Sequence, residues 1–429
     1  MVRKDFIKGA IAASLFGVSS PAIHVLGNSR KKGTFGDSYP PIRRITNGPK
    51  YHWFGYYDKL QVDMTNRYAL GMEVDFEHRT PEISDRINIG IIDLTNGDKW
   101  EEIGESNAWG WQQGCMLQWI PNRDNMVIWN DRQGDHFVAH ILNVRTGEKK
   151  TLDKPIYAIS PDGTWAVGLD FGRLQDLRPG YGYKGVPDSY RHLKAPEKTG
   201  IYRIDLDTGA STFIIPYARC AAIPHKGEDV SNQWHWYNHL LISPDGKRIE
   251  FLNRWRKSRD FENQGGGFVT RMFTADKNGD DLYVIDPSGY TSHFVWKDPT
   301  HICAWTRPDG YPDGFYELED KTGNVKPVGK GIMVDNGHNT YVPGHSNDWI
   351  LNDTYPKGES RLQTPYLYQV SKNRRINLGA FHSGITYKGE WRCDLHPRCS
   401  PDGRSVIIDS VHEGMGRQMY LIDIGDIVE

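Results

Sequence analysis

Hydrophobic positions along the chain come in short alternating runs, each cut off by a turn within a few residues, and none keeps a helical repeat for long. The sharpest of these turns is Ser-Pro-Asp-Gly, at 160–163, 243–246 and 400–403, followed each time by an apolar run: TWAVGLD, KRIEFLN and RSVIIDS. Proline presets φ of the second turn residue, and Asp and Gly accept the tight corner, so each tetrapeptide predicts a hairpin. Weaker versions of the corner fall at 63–66, 120–123, 297–300 and 342–345, which makes seven. Downstream of most of them a second pair of runs flanks another turn, as in NIGIIDLTNGDKW, HILNVRTGEKKTL and IYRIDLDTGASTF.

The repeating unit is four antiparallel strands, recurring seven times at intervals of roughly 50 to 60 residues. It predicts an all-β protein, a seven-bladed β-propeller of four-stranded antiparallel blades. One blade cannot bury both of its faces, whereas a ring gives each sheet two neighbours. Closure is expected from IRRITNG, 42–48, as the outer strand of a last blade ending in LIDIGD, and the propeller domain is expected to span 40–429.

Residues 1–27 predict an export signal and a short linker: a basic start, an apolar stretch from Phe6 to Val18 and small residues near Ala22. Arg3-Lys4-Asp5-Phe6-Ile7-Lys8 is similar to a twin-arginine signal whose second arginine is lysine. The apolar stretch is short for a bilayer, so the expectation is a periplasmic or secreted protein with no membrane contact after cleavage. The 14 Trp, 22 Tyr and 45 Gly fit a turn-rich, aromatic-rich globular chain, and a formal charge of -2 gives no reason for a nucleic-acid partner. Five scattered cysteines without a CxxC pair allow one or two bridges at most. A monomer is expected.

Candidate chemistry follows from the blade register. The first strand of a blade lines the central channel with its hairpin at the far end, so the residue four before the corner sits near the opposite mouth. Across the seven corners that position reads Lys59, Met116, Ile156, His239, His293, His338 and His396, histidine in four consecutive blades of a chain with 16 histidines. Four facing imidazoles suit one divalent metal ion, zinc, manganese or calcium according to the oxygen ligands that join them. The competing reading is a ring of histidines bonded to carbonyls or water.

Polar residues ending the second strands, among them Asn130, Arg132, His136 and Arg254, are expected to gather at the same mouth as substrate-binding groups. The insertion 171–200 in the third blade adds Arg178 and Tyr181: a guanidinium suits a uronate carboxylate, and a tyrosine can bond sugar hydroxyls or exchange protons. No GxSxG elbow, P-loop, dinucleotide fingerprint or HExxH occurs. HWFGYYDK, 52–59, crowds a histidine, four aromatics, an acid and a lysine around Gly55, which a core strand has no use for.

That segment, with WGWQQGCMLQW (109–119), WNDRQGDHF (129–137), RPGYGY (178–183) and DLHPRCSPDGRSVIIDSVHEG (394–414), resembles the seven-bladed propeller family of bacterial exo-α-L-rhamnosidases. Those enzymes remove rhamnose capping glucuronic acid on arabinogalactan, and are similar in fold to ulvan lyases, rhamnose-glucuronate lyases and, more distantly, oligogalacturonate lyases. The resemblance implies an oligosaccharide or polysaccharide substrate joining rhamnose to a uronic acid, with His52 as a single catalytic acid/base. The related lyases use two histidines, a tyrosine and an arginine. Here Gln112 and Gln113 stand where the first histidine is expected, able to hold a carboxylate but not to take a proton, while His136, Tyr181 and Arg178 or Arg203 supply the rest. Three readings result: an exo-rhamnosidase first, then a polysaccharide lyase acting by β-elimination, then a non-catalytic propeller that binds acidic glycans.

Overall fold

The computed structural model describes residues 39–259 and 267–429, and the expected export signal lies outside them. Seven four-stranded antiparallel sheets follow one another along the chain. Blades 1 to 6 occupy 51–106, 118–152, 158–216, 234–289, 294–328 and 340–377. Blade 7 occupies 398–423 and takes its fourth strand from Ile42–Arg44, with Ile42 opposite Ile422 and Arg44 opposite Tyr420, the closure expected from IRRITNG. A two-stranded ribbon, Leu362–Gln363 with Phe381–His382, stands apart from blade 6. Among the described residues no helix is long and apolar enough to cross a membrane. All five cysteines are free, so none of the bridges the sequence allowed is formed.

The repeated corners hold the blades together as well as turning the chain. Gly163, Gly246 and Gly403 have φ of 69°, 68° and 68°, in the left-handed region that suits glycine. Each Gly N–H donates to the Ser carbonyl three residues earlier, and each Ser hydroxyl donates to the Asp carboxylate. A Cβ at Gly163 would lie 2.1 Å from the Pro121 carbonyl oxygen, and one at Gly403 would lie 2.3 Å from that of Pro343. Both contacts reach the corner of the preceding blade. At Gly163 and Gly403 glycine is thus demanded by the turn and again by the close approach of the preceding sheet.

The apolar core is a set of seams between adjacent sheets. One cluster joins blades 2, 3 and 4 through Ile128, Val167 and Phe251, and another joins blades 7, 1 and 2 through Ile407, Met72 and Trp129. Full burial of each such aliphatic side chain contributes about 1.5–3 kcal/mol.

Irregularities at the channel end of the inner strands position the site. The strand Tyr51–Trp53 stops short, and residues 54–59 turn into the channel. Gly55 makes the break with φ 97°, and a Cβ there would lie 3.1 Å from the backbone of Gln113. The amides of Phe54 and Gly55 donate to the Asp409 carboxylate at 3.2 and 3.1 Å, and Arg398 holds that carboxylate at 2.9 Å. At the register position four residues before the corner, Met116, His239 and His396 have φ of 56°, 50° and 42°. In blade 4 the pairing slips between Asn238 and Leu240, so His239 is the extra residue of a bulge. Such a bulge leaves one residue out of the ladder and re-aims its side chain, here toward the channel.

Candidate active site

Three of the four register histidines meet. The rings of His293 and His338 are 4.4 Å apart, as are those of His338 and His396. The Nδ1 of His338 lies 2.9 and 3.0 Å from the two oxygens of Asp353, which fixes the ring and turns Nε2 inward, 3.5 Å from the Tyr355 hydroxyl. His396 Nε2 and Asp394 Oδ1 are buried without a hydrogen-bond partner. One ligand atom each from His338, Asp394 and His396 lies within 4.8 Å of the others.

The electrostatics favour lone pairs over charge on two of the three histidines. Burial, with the nearby His338, pushes His293 and His396 well below the ordinary histidine range, so both are neutral near pH 7. Burial opposes a charge on His338 too, but Asp353 outweighs it and raises the ring's affinity for a proton. Two buried imidazoles, one braced from behind by a carboxylate, together with an orphaned carboxylate oxygen, fit a divalent cation.

Of the four predicted metal ligands, His338 and His396 belong to this group. His293 is adjacent, with Nδ1–H donating to Asn336 at 2.9 Å. His239 is apart: its Nε2 lies 3.2 Å from Asp58 and its ring stacks on Phe294 at 4.1 Å. The blade register is as expected, but Tyr56 and Tyr57 enter the channel with rings 4.9 and 5.5 Å from that of His239, and the carboxylate that follows them engages it. Asp394 is the member of this group that sequence reading missed, and its signal was the Asp-x-His spacing of DLHP.

Beside the histidines lies a cavity of about 420 Å³ whose lining includes Arg178, Tyr181, Arg254, His293, Tyr355 and Arg392. Arg178 and Tyr181 reach it from the blade 3 insertion. There Asp170 caps the helix Phe171–Leu177, and the buried Arg173 pairs with Asp188 at 2.8 Å while donating to the carbonyls of Leu193, Lys194 and His235. The Arg178 guanidinium lies over the rings of Tyr181 and Phe268, 4.9 and 5.0 Å from their centres.

Arg254 is 8% exposed and rests over Phe268 at 4.8 Å. Among the described residues it has no hydrogen bond and no ion pair, and its Nε is buried without a partner. Burial, with Arg178 nearby, lowers it to about 10, still charged at neutral pH. A buried cation without an anion is costly, and a bound carboxylate would offset that cost.

Tyr181 is the second unusual group. Burial alone would raise its phenol, but the charges of Arg392 and Arg178 and a 2.8 Å hydrogen bond from Arg392 bring it down to about 7. The same guanidinium donates from Nε to Asp394 at 2.7 Å.

The other expected binding residues do not face the cavity. Gln112 donates to the carbonyls of Glu390 and Arg392, and Gln113 to the Tyr157 hydroxyl, so both brace the wall from behind. Asn130 is fully buried, bonded to the backbone of Ile156 and to Tyr183. Arg132 donates to the carbonyl of Ile83, and His136 sits beside Asp135 on an exposed hairpin tip, because the strand pair carries both past the mouth. Arg203 bonds Asn278 instead.

His52 also lies elsewhere. It is 3% exposed at the seam of blades 7 and 1, with Nδ1 3.1 Å from Gln418 and Nε2 3.0 Å from Glu73. The physical reason is its place in the paired strand Tyr51–Trp53, before the break at Phe54. From HWFGYYDK it is Tyr56, Tyr57 and Asp58 that enter the channel.

No family model matches the sequence, and no curated protein matches it. Among solved structures, the oligogalacturonate lyase from Vibrio parahaemolyticus aligns with a TM-score of 0.63 and 13% identity over 92% of this chain and 96% of that one. An oligogalacturonate lyase in complex with manganese aligns with a TM-score of 0.63 and 14% identity over 90% and 94%. The tricorn protease aligns with a TM-score of 0.49 and 12% identity over 88% of this chain and 34% of that one. The first two likenesses are of fold, and none shows the rhamnosidase family.

Proposed function

We propose that this chain is a polysaccharide lyase that cleaves hexuronic-acid oligosaccharides by β-elimination. The observation that carries the reading is Arg254, a buried guanidinium without an anion, opening on the same cavity as a phenol with lowered proton affinity. Arg254 and Arg178 take the substrate carboxylate and hold the negative charge that develops as the C5 proton leaves. The Tyr181 phenolate accepts that proton. The C4=C5 bond forms as the C4–O4 bond breaks, and Tyr355, kept protonated by burial, returns a proton to the departing oxygen. His338, Asp394 and His396 would hold a divalent cation, which would supply Lewis-acid charge next to the cavity, and the manganese-bound oligogalacturonate lyase of the same fold supports that assignment.

The rhamnosidase reading has no comparable support, since both ring nitrogens of His52 are engaged away from the cavity. The test is incubation with oligogalacturonates and with rhamnose-glucuronate oligosaccharides. Ultraviolet absorbance from an unsaturated uronate supports the lyase. New reducing ends without that absorbance would mean hydrolysis, and tight binding without product would mean a glycan-binding ring.

A further inference from the structure

The cavity has a lip that the elimination chemistry does not use. Tyr290 lines it yet is 55% exposed, whereas Arg254, Tyr181 and His293 on the same wall are nearly buried. The ring is held. The Arg307 guanidinium lies over it, 4.2 Å from its centre, and is clamped by two hydrogen bonds to Asp313 at 2.6 and 2.9 Å. The backbone beneath is fixed as well, because the buried Asp286 carboxylate accepts from Ser288 N–H and from the hydroxyls of Thr291 and Thr306, and Tyr290 N–H donates to the Ser288 hydroxyl. An aromatic ring braced in this way loses little entropy when something stacks on it.

We propose that Tyr290 is a stacking platform for a further pyranose ring of the substrate, one unit beyond the sugars that flank the cleaved bond. The idea rests on the lyase reading for its substrate class, and on the geometry of the lip for the subsite. The occupant follows from continuity with the cavity: a glycan whose uronate is fixed at Arg254 and whose chain continues outward must pass the exposed rim. The C–H face of a pyranose complements an aromatic ring, and the Tyr290 hydroxyl can bond a sugar hydroxyl. The contact is the same in ground and transition states, so it belongs in KM rather than kcat.

The test is calorimetric binding of di- and tetrasaccharides, both of galacturonate and of rhamnose-glucuronate, to Tyr290→Ala and Tyr290→Phe, each in a Tyr181→Phe background that prevents turnover. For the sugar pair that binds, Tyr290→Ala is expected to weaken the tetrasaccharide about fivefold to tenfold and leave the disaccharide unchanged, with Tyr290→Phe near the parent, an effect the size of one aromatic contact. Arg307→Ala, which frees the ring without removing it, should fall between. Equal losses at both lengths, no loss at either, or a parent that binds no member of the panel would overturn the platform. Because binding is read without cleavage, a lyase assay that fails while the length dependence holds would overturn only the reaction.

Discussion

Arg392 ties Tyr181 to Asp394: one guanidinium donates to the phenolic oxygen at 2.8 Å and to the carboxylate at 2.7 Å. The group assigned to proton abstraction and the group assigned to metal binding therefore share a single positive charge. A change at either end alters how firmly Arg392 holds the other. Arg392→Ala should accordingly lower activity more than removal of a cavity-lining hydroxyl such as that of Thr270, and should shift the pH profile as well.

The pH profile is the most direct check on Tyr181. The groups that face it are Arg178, Arg392, Arg254, Asp394 and Tyr56, and the cations among them bring the phenol to about 7. A base works when deprotonated, so kcat/KM should rise with pH through the region near 7, level off above it and fall away as acid restores the proton. Tyr181→Phe should abolish most turnover, and any residual activity should lack that rising limb. A limb that persisted in the variant would belong to another group.

Arg254 predicts opposite signs for stability and function. Arg254→Met removes a buried, unpaired cation, so its Tm should be equal to or above that of the parent. Its kcat/KM on uronate substrates should drop by about 100-fold or more, the size of a lost buried charge contact. Arg254→Lys should recover only part, since an ammonium cannot meet a carboxylate in bidentate fashion. A Met variant that kept its activity would remove the central support for the lyase.

Metal content tests the group of His338, Asp394 and His396. Protein purified without added metal should contain about one equivalent of divalent cation, as such sites do. Chelation should lower the Tm of the parent, because the ion stabilises only the folded ring. Asp394→Asn combined with His396→Ala should lose the ion and become indifferent to the chelator, whereas His239→Ala should keep it. Retention of metal by the double variant would move the site elsewhere.

His52→Ala should behave as a packing and hydrogen-bond defect. Gln418 keeps Thr46 and the Lys50 carbonyl, and Glu73 keeps Lys50 and Asn88 on Oε1, but Glu73 Oε2 loses the His52 ring at a buried seam, which costs about 1–3 kcal/mol and lowers the Tm. Activity per folded molecule should be unchanged. Loss of turnover in a variant with parental Tm would restore a catalytic role to this histidine.

The ring was legible because its signals are local and repeat. Each corner of the Ser-Pro-Asp-Gly type fixes one hairpin, and the count of corners fixes the blades. The histidine register was legible for the same reason, as far as position along the strand. Direction was not: whether His239 joins its neighbours or turns to Asp58 depends on Tyr56 and Tyr57 entering from a blade far away in sequence. Arg178, Tyr181 and Arg254 could be read as binding residues from their types and their place after strands. Asn130, Arg132 and His136 answered the same description, but Asn130 is buried against Ile156 and Tyr183, and the hairpin carries Arg132 and His136 past the mouth. Arg392 and Tyr355 lie in irregular segments after blade 6 strands, where no periodicity points to them.

The strand Ile42–Arg44 completes a sheet whose other three strands lie at the opposite end of the chain, with Ile42 against Ile422. During synthesis the first partner of that pairing therefore waits for almost the last, a contact of very high sequence separation and a slow one to form. Until it forms, the edge strand Gln418–Asp423 is open and the ring is not closed. Tyr181 from blade 3, Arg254 from blade 4 and Arg392 from the segment ahead of blade 7 line one cavity, which needs the ring that brings those parts of the chain together. An assembled site is thus a certificate of completeness: a nascent or shortened chain carries the same side chains without the arrangement that brings them together.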